Sequence, residues 1–211
     1  MNFFTHLKKA EISESDHLEL LPQGRKLSSD ALKDMNDVRF SAVGIHGYVN
    51  AHGKHEIILI RRSEYEGKHS GQIAFPGGKM EANDLDLIST ARLESEEEIG
   101  INAQSGELIR SLSTVYIPIS NFSMTPYVFY HERLPEMIIN EREVQHIIQL
   151  SLEDLCENIP IEYRKLPMEK GSLFTREVPG FLYGDFWIWG ATALVLNQLK
   201  KIFSEWNEKS R

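Results

Sequence analysis

Three glutamates, Glu94, Glu97 and Glu98, are spaced i, i+3 and i+4 along the chain. On a helix these side chains fall within roughly one 100° arc, while Glu96 points the opposite way. Carboxylates this close repel one another by about 0.2 to 0.5 kcal/mol per pair, so a positive charge should offset them. Mg²⁺ prefers carboxylate oxygens, water and substrate phosphates. The spacing is therefore typical of a divalent-metal site, or of a solvated acidic helix face.

A glycine turn and a helix would have to position these carboxylates. Pro76-Gly77-Gly78 stands just upstream, and glycine permits positive φ and close backbone approach. A glycine carbonyl could then join the carboxylates around one cation, although Pro-Gly-Gly is also typical of a simple turn. We predict a helix from residue 84 to 99, capped by Asn83 or Asp84 and ended by Gly100.

The rest of the chain alternates between strand-like and helix-like segments. Residues 1–36 carry helical pieces and are predicted to form an N-terminal extension packed on a domain at 37–211. Strands are predicted at 40–49 and 56–60, joined as a hairpin, at 107–116, 124–130 and 143–150, and at 181–189. A short helix at 152–157, capped by Ser151, and a closing helix at 191–206 follow the same patterns. The predicted fold is α/β, a mixed β-sheet between helices.

Composition excludes several classes of protein. The chain has 211 residues, of which 41% are hydrophobic, enough for one domain with a substantial core. Its net charge is −8 and no basic stripe occurs, so a nucleic-acid partner is not expected. Cys156 is the single cysteine, which excludes an intrachain disulfide framework and a cysteine-based zinc site. No signal-peptide core or run of about 18 apolar residues occurs, so we predict a cytoplasmic protein with no membrane partner.

The stretch from Gly78 to Ile101 resembles the Nudix box. That pattern is a glycine, five residues, a glutamate, seven residues, then Arg-Glu-apolar-any-Glu-Glu-any-Gly-apolar. This chain has Asp84 as its first acid and one extra residue before Glu94. Both departures resemble the coenzyme A diphosphatase branch of the Nudix hydrolases.

Further stretches are similar to that branch. They read Ile58-Leu59-Ile60-Arg61-Arg62-Ser63, His69-Ser70-Gly71-Gln72-Ile73-Ala74-Phe75-Pro76-Gly77-Gly78, Tyr116-Ile117-Pro118-Ile119-Ser120-Asn121-Phe122 with Thr125-Pro126, and Ile188-Trp189-Gly190-Ala191-Thr192-Ala193. The resemblance therefore covers about residues 40 to 200. It implies a Nudix α/β/α sandwich that uses Mg²⁺ or Mn²⁺ to cleave coenzyme A, or a derivative, into a phosphopantetheine fragment and adenosine 3′,5′-bisphosphate.

Two alternatives stay open at this point. The same machinery could act on another nucleoside diphosphate derivative or on a nucleoside triphosphate, because the box residues do not separate these substrates. A catalytically weak Nudix-fold module that binds nucleotides is the alternative outside enzymes. The aromatic C-terminal segment could form a homodimer surface as easily as part of a core.

The resemblance also assigns roles to residues. Glu94, Glu97, Glu98 and the Gly78 carbonyl are implied as metal ligands, with Glu97 and Glu94 as the catalytic groups. The implied substrate contacts are Arg61, Arg62, His69, Gln72 and Lys79. A solvated surface role is an equal alternative for each of the two arginines and the lysine.

One departure from the family concerns the helix. The family has Leu-Arg before the first catalytic glutamate, whereas this chain has Arg92-Leu93. The helical projection places Arg92 on the core-facing side, with Leu85, Ile88, Ala91, Ser95 and Ile99, and leaves Leu93 outside. Because an unpartnered buried guanidinium is costly, Arg92 is expected to snorkel or to pair with Glu96. Exchanging Arg92 and Leu93 would then raise both stability and turnover.

A second group of residues is open to more than one interpretation. Relatives place an acidic residue near position 146, where this chain has His146, and Glu141 and Glu143 are nearby substitutes. His146 fits a surface or strand histidine better than a ligand. Trp187 and Trp189 fit core packing, with a wall facing the substrate as the alternative.

Overall fold

The computed structural model describes residues 2–64, 71–167 and 175–210. Its helices are α1 (Phe3–Leu7), a 3-10 helix (Glu14–Leu20), α2 (Ser28–Leu32), α3 (Leu87–Ile99), α4 (Leu152–Glu157) and α5 (Gly190–Ser210). Its strands are β1 (Arg39–Val49), β2 (His55–Arg62), β3 (Ile73–Ala74), β4 (Gly77–Lys79), β5 (Glu107–Ser111), β6 (Val115–Ile117), β7 (Phe122–His131), β8 (Val144–Ser151), β9 (Ile161–Pro167), β10 (Thr175–Tyr183) and β11 (Phe186–Trp189).

An eight-stranded mixed sheet forms the centre of the fold. β1 pairs parallel with β7 and antiparallel with β2 and β4. β2 also pairs with β3 and β8, and β7 with β5 and β6. β9, β10 and β11 form a second, antiparallel sheet of three strands, called here the small sheet. The predicted mixed sheet between helices is confirmed.

Both faces of the central sheet are covered. Along β2, Ile57 and Leu59 point into the core that includes α5, whereas Ile58 and Ile60 point into a separate core that includes the end of α3. Side chains alternate between the two faces of a strand, so a strand buried on both faces needs a continuous apolar run. The sequence of β2 supplies such a run, and α3 is thereby held against the sheet.

The N-terminal residues contribute to the larger core. Phe3, Phe4 and Leu7 are buried, and the Phe3 ring lies 5.0 Å from that of Phe203 on α5. Phe4 packs directly on the backbone of Gly47, where a Cβ atom would collide with its ring. Within the described part of the chain, no helix has the length and apolar character needed to span a membrane.

Several predicted elements agree with the structure and others differ. The hairpin of β1 and β2 and the Ser151 cap of α4 are confirmed. The strand predicted at 107–116 is divided into β5 and β6, because the Ser113 N–H bonds the Gln198 side chain instead of a neighbouring strand. The segment 181–189 turns back at Gly184, which has a φ of +57°. Trp187 and Trp189 lie half-buried on the small sheet, outside the hydrophobic core clusters.

The start of α3 also differs from the prediction. Asp86, not Asn83 or Asp84, caps the helix by accepting a hydrogen bond from the Ser89 N–H at 2.7 Å. Leu85 precedes the helix and is 92% exposed, so its predicted place in the core is wrong. Ala91, Ser95 and Ile99 do face the core, and Gly100 ends the helix with a φ of +71°.

His17 on the 3-10 helix carries a testable pH dependence. It is buried, its Nε2 has no hydrogen-bond partner among the described residues, and burial lowers its pKa to about 4. Glu14 and Lys201 are the charges that act on it, and Lys201 in turn pairs with Asp16 and Glu19. The unfolded chain takes up this proton near pH ~6.5, so stability is lost as the pH falls from there towards 4.

We expect His17→Leu to flatten this loss. As the pH falls from 7 to 5, the wild type should lose about 2 kcal/mol more of its free energy of unfolding than the variant loses, measured by denaturant unfolding. The comparison cancels the titration of all other groups. Parallel curves for the two proteins would show that His17 is not held neutral.

Candidate active site

Glu98 is the most buried of the three helix glutamates. It is 0% exposed, and its carboxylate accepts hydrogen bonds from Arg62 Nη1 and from the Gly77 N–H, both at 2.8 Å. Burial raises its pKa to about 7, against the opposing effects of Arg62 and Gly77. The predicted turn is a bend at Pro76 that opens directly into β4, and this stretch, still called the glycine turn, is joined to the acidic helix through the Glu98 side chain.

Glu94 lies one turn earlier, over the backbone of Gly78. A Cβ atom on Gly78 would stand 2.6 Å from Glu94 Oε1 and closer still to Oε2. Burial, together with the charges of Glu98 and Glu97, raises the pKa of Glu94 to about 7. The absence of a side chain at Gly78 is therefore what allows the carboxylate to approach.

A fourth carboxylate, from the loop before β8, acts on this group through its charge. The charge of Glu143 raises the pKa of both Glu94 and Glu98, and its Oε1 accepts a hydrogen bond from Asn140 Nδ2 at 3.4 Å. Its backbone N–H bonds the Asn140 carbonyl at 3.0 Å. His146, in contrast, is exposed, with its ring 5.9 Å from that of Phe186.

The donor set fits a hard divalent cation. Glu94, Glu97, Glu98 and Glu143 supply carboxylate oxygens, which Mg²⁺ and Mn²⁺ prefer. Within the described ranges, Arg62 is the one cation that forms an ion pair with any of them. Among the described residues, no three carboxylate or imidazole side chains already converge on one point. Glu98 is turned towards Arg62 and Gly77, and a bound cation would take over the charge compensation that Arg62 provides.

The predicted substrate contacts are distributed over β2, β3 and β4. Arg61 pairs with Glu64 at 3.1 Å, and Lys79 pairs with Glu81 at 3.2 Å, both near the surface. The Gln72 carbonyl accepts the Arg62 N–H at 3.0 Å, which places its backbone beside the site. Arg62 is engaged with the carboxylates themselves. His69 lies outside the described residues.

Arg92 has partners that the sequence did not indicate. Its guanidinium donates to the carbonyls of Ala103 and Ser105 at 2.7 Å and of Gly106 at 3.0 Å, and it lies 4.5 Å from the centre of the Phe129 ring. The expected pairing with Glu96 is therefore wrong. Glu96 instead accepts the Ala103 N–H at 3.1 Å, so both side chains hold the turn that follows α3.

A buried histidine pair fixes α3 on the sheet, and sequence reasoning missed it. The Ser95 hydroxyl donates to the Ala91 carbonyl at 2.6 Å, so it accepts from His46 Nε2 at 2.9 Å. His46 Nδ1 then accepts from His131 Nε2 at 3.0 Å. Burial lowers the pKa of His46 to about 3 and of His131 to about 4, which keeps both rings neutral. Single histidines in apolar strands carry no spacing signal for such a contact.

Gly78→Ala is expected to lower kcat/KM by about 30-fold, because the new methyl group displaces the Glu94 carboxylate. The collision involves the flexible end of a side chain, so the melting temperature should change little. Gly77→Ala provides the contrast. Its Cβ would stand 2.6 Å from the Val43 Cα at a φ of +151°, so it should lower the melting temperature as well. Unchanged kcat/KM in folded Gly78→Ala would contradict the placement of Glu94.

A mixed sheet that sets a glycine turn against an acidic helix is the arrangement of a Nudix domain, and the sequence comparisons agree. The family model for the NUDIX domain matches residues 38–169. The chain belongs to the Nudix hydrolases, which are enzymes that hydrolyse phosphorus-containing anhydrides. It acts on nucleoside diphosphate derivatives, and the family generally uses divalent metal ions such as Mg²⁺.

Individual relatives support the same assignment. The Nudix hydrolase NudL of Yersinia enterocolitica is 34% identical over 146 residues, which are 68% of this chain and 71% of NudL. Nudix hydrolase 3 of Caenorhabditis elegans is 28% identical over 163 residues, 71% of this chain and 68% of that protein. Among solved structures, the M. smegmatis Nudix hydrolase RenU is similar in fold, with a TM-score of 0.54 and 11% identity over 79% of this chain and 86% of RenU.

Proposed function

We propose that this enzyme is a coenzyme A diphosphatase, which cleaves coenzyme A or its derivatives into a phosphopantetheine fragment and adenosine 3′,5′-bisphosphate. The observation that carries the proposal is the contact of Glu98 and Glu94 with Gly77 and Gly78. That glycine pair ends the stretch from His69 to Gly78, which resembles the coenzyme A branch. The site thus supports diphosphate cleavage, and the motif leading into it supports the choice of substrate.

The metal site we propose consists of Glu94, Glu97, Glu98 and the Gly78 carbonyl, with Glu143 in addition. A bound Mg²⁺ or Mn²⁺ would lower the pKa of a water molecule that it holds and would neutralise phosphate charge. The buried Glu98 is held in place by the Gly77 N–H. Glu97, the most exposed of the three helix glutamates, and Glu94 are the groups we assign to accept the proton of the attacking water.

We assign the substrate contacts to residues that surround the carboxylates. Arg61 and Lys79 extend from β2 and β4 towards solvent and can exchange their surface acidic partners for a phosphate. Gln72 and His69 belong to the same motif and complete the proposed set. Arg62 would change partner from Glu98 to a substrate phosphate when a cation takes its place.

The limits of the domain and the setting of the enzyme are further proposals. We infer an N-terminal extension at 1–36 and a Nudix domain at 37–211; the family match begins at residue 38. A cytoplasmic location and the formation of a homodimer stay predictions. The alternative of a catalytically weak binding module loses support, because all three helix glutamates are present and two of them, Glu94 and Glu98, contact Gly78 and Gly77.

A panel of substrates tests the proposed function. Coenzyme A, a nucleotide sugar, a dinucleotide and a nucleoside triphosphate would each be assayed with Mg²⁺ and with Mn²⁺. We expect kcat/KM for coenzyme A to exceed the others by about tenfold or more, since buried polar contacts discriminate strongly. Failure on coenzyme A together with turnover of another nucleotide would overturn the choice of substrate and leave the hydrolase assignment in place.

A further inference from the structure

One face of the small sheet carries arginine and tryptophan side chains outside the catalytic group. Residues directly opposite each other in antiparallel strands point to the same face. Arg164 is opposite Val178, Arg176 lies two residues before Val178, and Trp187 is opposite Leu182. These residues therefore share one face, called here the arginine face, whereas Phe181 and Ile188 on the other face enter the core.

The Trp187 ring covers Gly180 on the arginine face. A Cβ atom on Gly180 would stand 2.8 Å from this ring, so the indole occupies the space above that glycine. The Arg164 guanidinium lies 4.5 Å from the ring centre and stacks on it. The indole Nε1 is buried and has no hydrogen-bond partner among the described residues. A buried N–H donor without an acceptor is costly, which makes this atom a candidate contact for a ligand.

A second unpartnered donor belongs to Arg176, whose Nε is also buried without a hydrogen bond in the described chain. Burial lowers the pKa of Arg25, and the charge of Arg176 acts in the same direction. Across the described residues, no carboxylate forms an ion pair with Arg25, Arg164 or Arg176. Glu162, opposite Gly180, is the acid on this face and is not paired with them.

The small sheet lies beside the strands that lead into the candidate active site. β11 packs against β3, which leads into the glycine turn, and Thr192, just after β11, bonds the Ile73 carbonyl at 3.1 Å. At the other end of β11, the Phe186 ring lies 5.9 Å from that of His146, which is opposite Arg61 in the central sheet. The small sheet therefore runs beside the proposed phosphate contacts of β2 and β3.

We propose that Arg164, Arg176 and Trp187 form an anion site that binds a phosphate group, separate from the metal-binding carboxylates. Guanidinium groups match phosphate oxygens in pairs, and the indole N–H supplies one more donor. A phosphate would neutralise the guanidinium charges of Arg164 and Arg176 and offer acceptors to their N–H groups and to the indole N–H. In coenzyme A this group is the phosphate on the adenosine ribose; that assignment rests on the proposed function, whereas the anion site does not.

Calorimetric titration of the full chain with adenosine 3′,5′-bisphosphate, in EDTA to exclude metal-mediated binding, tests the site. We expect saturable binding that Arg176→Gln weakens by about tenfold, the loss of one charge-assisted contact. Arg164→Gln, which removes the guanidinium that stacks on Trp187, gives the same test if Arg176→Gln fails to fold. Lys165→Gln is the matched control, since Lys165 is exposed on the opposite face of β9. Equal affinity in all four proteins, or no saturable binding by the wild type, would overturn the proposal.

Kinetics with coenzyme A and 3′-dephospho-coenzyme A identify the source of the phosphate. If the site holds the substrate's ribose phosphate, Arg176→Gln raises KM about tenfold for coenzyme A and leaves the dephospho compound unchanged. If KM is unchanged for both while binding of the bisphosphate is lost, the site takes a free anion. Absence of any turnover of coenzyme A by the wild type would reject the proposed function, and the titration would still decide the anion site.

Discussion

Glu98→Gln is expected to lower kcat by about a thousandfold, equivalent to about 4 kcal/mol of transition-state stabilisation. The buried carboxylate of Glu98 is held by Arg62 and by the Gly77 N–H. Glutamine keeps the size of the side chain and can accept one of these bonds, but it has no charge to bind a cation. Burial raises the pKa of Glu98 to about 7, so removing its charge should leave the melting temperature unchanged or higher.

Glu96→Gln is the matched control for this prediction. Glu96 is on the same helix, is exposed, and accepts the Ala103 N–H, a bond that glutamine can also accept. Its kcat should stay within about twofold of the wild type, because surface changes away from a site have small effects. Activity and melting temperature would be measured on the same samples. Equal losses in both variants would mean that helix integrity, and not the charge of Glu98, is what the assay reports.

Exchanging Arg92 and Leu93 is expected to lower the free energy of unfolding by about 3 kcal/mol. Arg92 donates to the carbonyls of Ala103, Ser105 and Gly106, and leucine cannot replace these bonds. An arginine at position 93 would point to solvent, where Leu93 is already 47% exposed. The sequence alone predicts the opposite result, a gain in stability, because it shows no partner for a buried guanidinium at position 92. The three carbonyl bonds reverse that expectation.

Leu93→Arg alone separates the two halves of the exchange. Because position 93 is exposed, the single change should alter stability by less than about 0.5 kcal/mol. Arg92→Leu alone should account for nearly all of the loss, measured by denaturant unfolding at fixed pH. A double variant as stable as the wild type would show that the three carbonyl bonds contribute nothing net.

The local parts of the structure were predictable from the sequence. The spacing of Glu94, Glu97 and Glu98 fixed which carboxylates share a helix face, and Gly100 fixed the end of the helix. The hairpin of β1 and β2 followed from two apolar runs around a turn. These predictions succeeded because each depends on neighbours within about one or two turns of chain.

Contacts between distant segments were not predictable in the same way. The projection placed Arg92 on the buried side correctly, but its partners lie in the turn after α3, whose path no local pattern describes. His46 and Ser95 are 49 residues apart in sequence and meet only because β1 passes beneath the helix. The helix start was misplaced for a local reason: Asp84 and Asp86 are both good caps, and Asp84 instead bonds the Thr90 hydroxyl.

Identification by mass of the products formed from coenzyme A, with wild type and Glu98→Gln side by side, tests the central claim most directly. We predict equal amounts of a phosphopantetheine fragment and adenosine 3′,5′-bisphosphate from the wild type with Mg²⁺ or Mn²⁺, none with EDTA, and about a thousandfold less from Glu98→Gln. Coenzyme A left intact at every metal concentration, or products formed equally fast by Glu98→Gln, would contradict the claim.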